Sequence, residues 1–135
     1  MRPRSFVLAA GLAIAFATLP ALAHHAFNAE LDRQKPVTLT GKVTKVEWAN
    51  PHARIYLDAK SDKGEVVNWN FELGSPNGLM RNGWRRDSLK NGDEITVTGW
   101  LAKHAPNVGN AGTVTLVATG KRLFAGSSIG DDNTQ

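Results

Sequence analysis

The sequence contains no cysteine and almost no methionine. The absence of cysteine excludes a disulfide, a thiolate nucleophile and a cysteine-ligated metal site. One of the two methionines is Met1, so a methionine-rich site for monovalent copper is excluded as well. The fold must therefore be stabilised by side-chain packing, without covalent cross-links.

The short motifs that mark common catalytic and nucleotide sites are also missing. The chain has no serine in a nucleophile elbow, no His-Glu-x-x-His pair, no P-loop and no glycine-rich dinucleotide turn. The formal net charge is only +4 and no long basic run occurs, so a nucleic-acid partner is not expected. We therefore expect a protein that binds a small ligand, a metal ion or an envelope protein, and not an enzyme.

The first residues have the composition of an export signal. Arg2 and Arg4 precede an apolar stretch at residues 6–19, and a small-x-small cleavage pattern ends at Ala23. The apolar stretch is shorter than the ~20 residues that span a bilayer. We predict that residues 1–23 are a signal peptide, that the protein is periplasmic or secreted, and that it makes no stable membrane insertion.

The chain that remains after cleavage has a length usual for one domain. We expect an N-terminal extension at residues 24–36, a β-barrel domain at residues 37–125 and a disordered tail at residues 126–135. Nothing in the composition indicates a second domain, and we expect a monomer.

Five stretches alternate between apolar and polar residues, as half-buried strands do. The parity of the first stretch changes near Lys45, which predicts a β-bulge there. The stretches begin at Val37, Ile55, Val67, Ile95 and Val114.

Ser75 followed by Pro76 is typical of the start of a helix, which predicts a short helix between the third and fourth strands. Three strands, one helix and two further strands is the element order of an OB-fold barrel. We therefore predict an all-β fold with one short helix, arranged as a five-stranded OB-fold-like barrel. A small β-sandwich or an open five-stranded sheet is the alternative.

Four histidines are candidate metal ligands. Cleavage after Ala23 would make His24 the amino terminus, with His25 directly after it. An N-terminal histidine offers a divalent metal its α-amino nitrogen and its imidazole in one chelate ring, and nitrogen-rich sites favour Cu(II). His52 and His104 fall in the first-to-second and fourth-to-fifth strand loops, which flank the usual binding face of an OB barrel. Solvated histidines without a metal are the alternative.

Two further groups are candidates for ligand contacts. Tyr56 and Trp100, both predicted to point outward, form a candidate stacking surface for a peptide, a glycan or an envelope protein. Trp84 and Arg85 belong to a basic and aromatic cluster at residues 81–86, which is suited to an anionic ligand through arginine forks. In the alternative interpretation Trp84 caps the barrel, and the arginines are solvated or pair with Asp87 and Glu72.

Glu47 and Glu72 are carboxylates on predicted strands, and a pair of carboxylates is what glycoside hydrolysis requires. Solvated strand faces carry such residues routinely, so we treat this pair as a minor alternative to binding.

Several short motifs spread over nearly the whole chain after the leader form a distinctive combination: His24-His25-Ala26-Phe27, Gly41-Lys42-Val43, Glu47-Trp48, Asn50-Pro51-His52, Phe71-Glu72, Gly74-Ser75-Pro76-Asn77, Gly83-Trp84, Arg86-Asp87-Ser88-Leu89 and Gly92-Asp93. In this combination the chain resembles a family of small exported bacterial proteins of unassigned function, and the resemblance implies a barrel-like β fold. The chain is also similar to small periplasmic copper carriers through His24 alone, which implies a copper role for that residue only.

Overall fold

The computed structural model describes residues 31–126, and predictions about residues 1–30 and 127–135 lie outside the described residues. The described part contains a short helix, α1 (Pro76–Arg81), between the third and fourth of its strands. The prediction of a mostly β fold with one short helix at this place is confirmed. The strands are β1 (Leu31–Glu47), β2 (Arg54–Lys60), β3 (Val66–Glu72), β4 (Glu94–Ala102), β5 (Val108–Leu116) and β6 (Arg122–Phe124).

The strands form one sheet in the order β3-β2-β1-β4-β5-β6. All neighbours in this order are antiparallel. In addition β3 pairs with β5 in parallel, over the stretch where Asn70 faces Val108 and Glu72 faces Asn110. Every one of the five longer strands therefore has a hydrogen-bonded neighbour on both sides.

The long strand β1 changes its partner part-way along its length. Its first part pairs with β4 and its last part with β2, and Lys42 takes part in both pairings, opposite Glu94 and Asp58. A Cβ on the preceding Gly41 would lie 2.4 Å from the carbonyl oxygen of Asp58. Only glycine therefore permits β1 and β2 to approach each other at the point where the partner changes.

A β-bulge follows this point. The register between β1 and β2 shifts between Val43 and Lys45, as the change of parity in the sequence predicts. Val43 is buried, whereas Lys45 and Glu47 contact the polar side chain of Tyr56 on β2. The bulge therefore turns the end of β1 so that its charged residues lie on the same face as the polar residues of β2.

The beginning of β1 differs from the sequence prediction. The strand starts at Leu31, inside the predicted N-terminal extension, because Leu31 and Asp32 pair with Ala102 and Leu101 at the end of β4. A register shift separates this pairing from the one that resumes at Pro36. The polar residues between have no apolar alternation, so sequence patterning gave no signal for this part of the strand.

The fifth strand also begins earlier than predicted, at Val108 instead of Val114, and β6 was not predicted. The start of β5 is rich in glycine and asparagine, which have low β-propensity, but it pairs with β4 on one side and β3 on the other. A Cβ on Gly109 would lie 2.7 Å from Phe71 Cε1 and 2.7 Å from the Trp100 carbonyl oxygen. Glycine is therefore required where β5 comes close to both neighbours.

The core is built from the inward-facing residues of the strands together with the segment after α1. Trp69 packs against this core from a half-buried position, and its ring stacks on Phe71 with the centroids 6.0 Å apart. Removing the apolar side chains of the core from water is the main contribution to stability in a chain without disulfides. The largest fully buried side chains are Phe71, Ile55, Leu57, Leu73, Leu79, Ile95, Val43, Val97 and Val114.

Candidate functional site

A row of charged residues crosses three adjacent strands on the outer face of the sheet. Arg54 on β2 lies opposite Glu47 on β1 and opposite Glu72 on β3. Residues in facing positions of neighbouring strands project their side chains to the same side. The arginine is therefore placed between two carboxylates, each one strand away.

Glu72 connects Arg54 with His52, which lies in the loop between β1 and β2. Arg54 Nη2 donates to Glu72 Oε2 at 2.5 Å, and His52 Nδ1 lies 2.9 Å from the other carboxylate oxygen, Oε1. Arg54 Nη1 also donates to Asn70 Oδ1 at 3.4 Å. The Glu72 side chain is 19 % exposed and that of His52 is 28 % exposed, so both contacts are partly shielded from water. The imidazole is thus held against the sheet by a carboxylate that is itself held by an arginine.

A second set of contacts surrounds Glu47 at the end of β1. Tyr56 Oη donates to Glu47 Oε2 at 3.2 Å, and Lys45 forms an ion pair with Oε1 of the same carboxylate. The Lys45 ammonium lies 5.2 Å from the centre of the Tyr56 ring. The hydrogen bond from Lys45 lowers the pKa of Glu47 below its ordinary value, and the same bond raises the pKa of Lys45.

The two carboxylates that the sequence offered for glycoside hydrolysis lie on one face, and both are engaged by neighbouring side chains. A general acid for this reaction needs a raised pKa, whereas the pKa of Glu47 is lowered. Both oxygens of Glu72 are engaged, by His52 and by Arg54. The geometry is that of a paired-charge surface.

Sequence reasoning missed Arg54 and Asn70 as members of this site. The available signal was parity, because Arg54 alternates with the core residue Ile55 and therefore faces outward beside Tyr56. What the sequence does not contain is the register that puts Arg54 opposite Glu72. Register depends on pairing between separate segments, so a single-strand pattern does not reveal it.

The other predicted metal ligands are distributed differently. His104 lies in the exposed loop between β4 and β5, beside a surface depression of about 340 Å³ that Pro106 also lines. His24 and His25 lie outside the described residues. Within residues 31–126, no three or more histidine or carboxylate side chains are grouped so that they could hold a metal ion.

The two outward aromatic residues lie on different strands, Tyr56 on β2 and Trp100 on β4. Trp100 lies opposite Asn110 of β5, and Asn110 lies opposite Glu72, a carboxylate of the charged row. The pairing of β3 with β5 therefore brings Trp100 to the same region of the sheet as that row. Trp100 is 39 % exposed and its ring lies over Gly112 of β5, 3.4 Å from where a Cβ there would be. A stacking surface made of both rings stays a prediction.

Trp84 is a core residue in this structure. It is 2 % exposed, and its indole Nε1 donates to the carbonyl oxygen of Phe124 at 2.7 Å. This burial agrees with the alternative in which Trp84 closes one end of the sheet, and a ligand contact by Trp84 stays a prediction. Arg85, the other predicted contact in the cluster, is exposed.

A family model for a family of unknown function (DUF6152) matches residues 12–112 of the 135-residue chain. The chain belongs to this family. The motifs in the sequence predicted membership of a family of unassigned function, and the family match confirms this. A search of curated proteins and a search of solved structures each returned no match.

The segment matched by the DUF6152 model contains the whole His52-Arg54-Glu72 arrangement, α1 and the arginine cluster at its C-terminal end. Within residues 31–126, no helix of this DUF6152 protein is long and apolar enough to cross a membrane. Membership of a family of unknown function assigns no ligand or activity, so the evidence for function is the chemistry of the site.

Proposed function

We propose that this DUF6152 protein is an exported, non-catalytic binding protein that holds one divalent copper ion. The ligands are the α-amino nitrogen and the imidazole of His24, exposed by cleavage after Ala23, together with the imidazole of His52. The observation that carries the proposal is the 2.9 Å contact between His52 Nδ1 and Glu72 Oε1. A carboxylate on one ring nitrogen is the usual companion of a histidine that binds a metal through the other.

The arrangement around His52 suits this role because it fixes the direction of the ring. Arg54 holds the second oxygen of Glu72 at 2.5 Å, so the carboxylate that contacts the imidazole is itself positioned. A metal ligand that is already oriented loses less conformational freedom on binding. His104, by contrast, lies in an exposed loop, which favours His52 as the histidine that completes the site.

The proposal also includes closure of the sheet into a barrel. The parallel pairing of β3 with β5 supports an OB-fold-like barrel in which β3 and β5 close the ring of five strands. In such barrels the outer face of the second and third strands and the loops after the first and fourth strands bind ligands. His52 lies in the first of these loops, and Arg54 and Glu72 lie on that face.

The N-terminal part of the site rests on the chemistry of a terminal histidine. Such a residue places two nitrogens in one chelate ring, and Cu(II) is the first-row divalent ion that such nitrogen ligands bind most tightly. Six residues, 25–30, separate His24 from Leu31, the first residue of β1. A fully extended segment of that length spans about 20 Å, at roughly 3.3 Å per residue.

Calorimetric titration with Cu(II) tests the proposal. The protein is exported and purified, its amino terminus is checked by mass spectrometry, and four versions are compared: the chain starting at His24, the same chain with one added alanine in front, His52→Ala and His104→Ala. We expect one-to-one binding by the first version and a loss of roughly tenfold or more in affinity for the added alanine and for His52→Ala.

The matched control is His104→Ala, which also removes one imidazole and should leave the affinity within about twofold of the parent, given an exposed loop position. Equal affinity in all four versions would overturn the copper site. Loss with the added alanine but not with His52→Ala would retain the terminal chelate and remove His52 from it.

An interaction module for a peptide or a glycan is the second candidate, and the exposure of Trp100 favours it. This ring is the largest exposed apolar side chain among residues 31–126 and lies on β4. Trp100→Ala should abolish binding to an immobilised glycan or peptide library while leaving the copper affinity unchanged. Retained library binding by Trp100→Ala would remove this candidate.

A further inference from the structure

We propose that an arginine cluster at the C-terminal end of α1 is a docking surface for a membrane that contains anionic phospholipids. The cluster consists of Arg81, the last residue of α1, and of Arg85 and Arg86 in the loop after it, with the exposed Met80 beside them. The proposal does not depend on the copper site, because the cluster lies on a different part of the chain from His52 and needs no metal.

The first observation is that these three arginines make no ion pair with any residue in the described range. Each is exposed, and within residues 31–126 none of them lies within ion-pair distance of a carboxylate. Asp87 follows directly in the sequence but is exposed and makes no ion pair with them. The contrast is with Arg54, whose guanidinium is engaged by Glu72 and Asn70. The charge of the cluster is therefore available to an external anion.

The second observation is that the backbone carrying the cluster is firmly held. Ser75 caps α1 by accepting a hydrogen bond from the Gly78 amide at 3.2 Å. Trp84 is anchored by its bond to the Phe124 carbonyl and by a backbone bond from its own amide to Leu79 at 3.0 Å. The Arg85 amide donates to Ser88 Oγ at 2.8 Å. Arg81 at the end of the helix and Arg85 and Arg86 in the loop after it are thus carried by a firmly held backbone, which reduces the entropy lost when they bind.

The third observation is an apolar element among the charges. Met80 is 49 % exposed, and a shallow depression of about 300 Å³ is lined by Met80, Gly83, Trp84, Arg85 and Arg86. A free phosphate ion gains nothing from an exposed methionine. A lipid surface does, because its phosphates pair with arginine forks while the flexible methionine enters the acyl boundary.

Sedimentation with vesicles tests the docking surface. The exported, processed protein is mixed with vesicles of phosphatidylcholine alone or of phosphatidylcholine with phosphatidylglycerol, without added copper. We expect binding to the anionic vesicles only, and a decrease in affinity as ionic strength rises, because salt screens exposed charges. Replacing all three arginines by glutamine should weaken binding by roughly 100-fold, at about fivefold for each charge.

A matched control removes the same charge elsewhere. Lys60, Lys63 and Lys103 are exposed residues outside the cluster, and their triple replacement by glutamine should weaken binding by about threefold at most. Met80→Gln preserves size and charge and should weaken binding severalfold without altering its salt dependence. The folding of all variants is checked by thermal melting. Because the substituted residues are exposed, the melting temperature should not change.

Three results would overturn the docking surface. Equal binding to neutral and anionic vesicles would show that charge does not drive binding. Equal losses of affinity in the arginine and lysine triple variants would show that the binding surface is not at the arginine cluster. Tight binding of inorganic phosphate that displaces the protein from vesicles would show that the cluster takes the free ion and not the lipid surface.

Discussion

Two charged surfaces of this molecule differ in whether their charges are paired. On the face of β1, β2 and β3 the charges contact one another, with Arg54 bound to Glu72 and Lys45 bound to Glu47. At the end of α1 and in the loop after it, the arginines at positions 81, 85 and 86 make no ion pair with any described residue. Paired charges fix the positions of side chains, whereas unpaired charges on a rigid backbone are free to attract a partner.

The difference also concerns what holds each surface in place. The face of the sheet is positioned by strand register and by its own ion pairs. The arginine cluster is positioned by a buried indole and contributes nothing to its own rigidity through its charges. Changing the charges should therefore affect stability on the sheet face and leave it unaffected in the cluster.

The largest effect should come from the residue beneath the cluster. Trp84→Ala removes a buried indole and its bond to Phe124, and we expect a loss of about 3–5 kcal/mol in the free energy of unfolding, measured by urea denaturation. Trp84→Phe keeps most of the packing and should lose less. A stable Trp84→Ala protein would contradict the view that this indole anchors the cluster.

On the sheet face, Glu72→Ala should reduce the free energy of unfolding by about 1–3 kcal/mol, because Arg54 is left half-buried without its carboxylate. Urea denaturation is again the measurement. Glu65→Ala is the matched control, since Glu65 is exposed in a turn, and should change stability by less than about 0.5 kcal/mol. The same loss in both variants would show that the Glu72 contacts have no structural role.

A smaller effect is expected for the pKa of Glu47. The hydrogen bond from Lys45 lowers this pKa below the ordinary 4.5, so Lys45→Gln should bring it back up towards 4.5, measured by NMR titration of the carboxyl carbon. A lowered pKa means that the pair stabilises the folded state above pH 4.5 and that this contribution is lost as the pH falls through the folded-state pKa. An unchanged pKa in Lys45→Gln would contradict the pairing.

The smallest effect should be found for the arginines of the cluster. Arg85→Ala and Arg86→Ala should each change the free energy of unfolding by less than about 0.5 kcal/mol, since neither residue has an ion-pair partner among the described residues. Arg54→Ala is the comparison on the sheet face and should cost about 1–3 kcal/mol. A loss of that size for Arg86→Ala would show that the cluster is structural after all.

The sequence was sufficient for the elements that are defined locally. β2, β3 and β4 alternate cleanly, and Ser75 with Pro76 marked the beginning of α1, so these elements were predicted within a residue or two. The bulge after Val43 was visible because a two-residue period changes its parity when one residue is inserted.

The rest depended on partners from distant parts of the chain. The start of β5 has a composition typical of a loop and is a strand because β3 and β4 supply hydrogen bonds on both sides. Glu72 was noticed as a carboxylate, but its contacts with Arg54 and His52 follow from the register of β2 with β3. Trp84 was ambiguous because an aromatic residue among arginines fits both a ligand site and a core position.

The electron paramagnetic resonance spectrum of the processed protein, loaded with one equivalent of Cu(II), decides whether His52 is a copper ligand. We predict nitrogen hyperfine structure from the terminal chelate and from His52, with a spectrum that changes in His52→Ala and stays the same in His104→Ala. A spectrum unaffected by His52→Ala, or equally affected by both replacements, would contradict the proposed site.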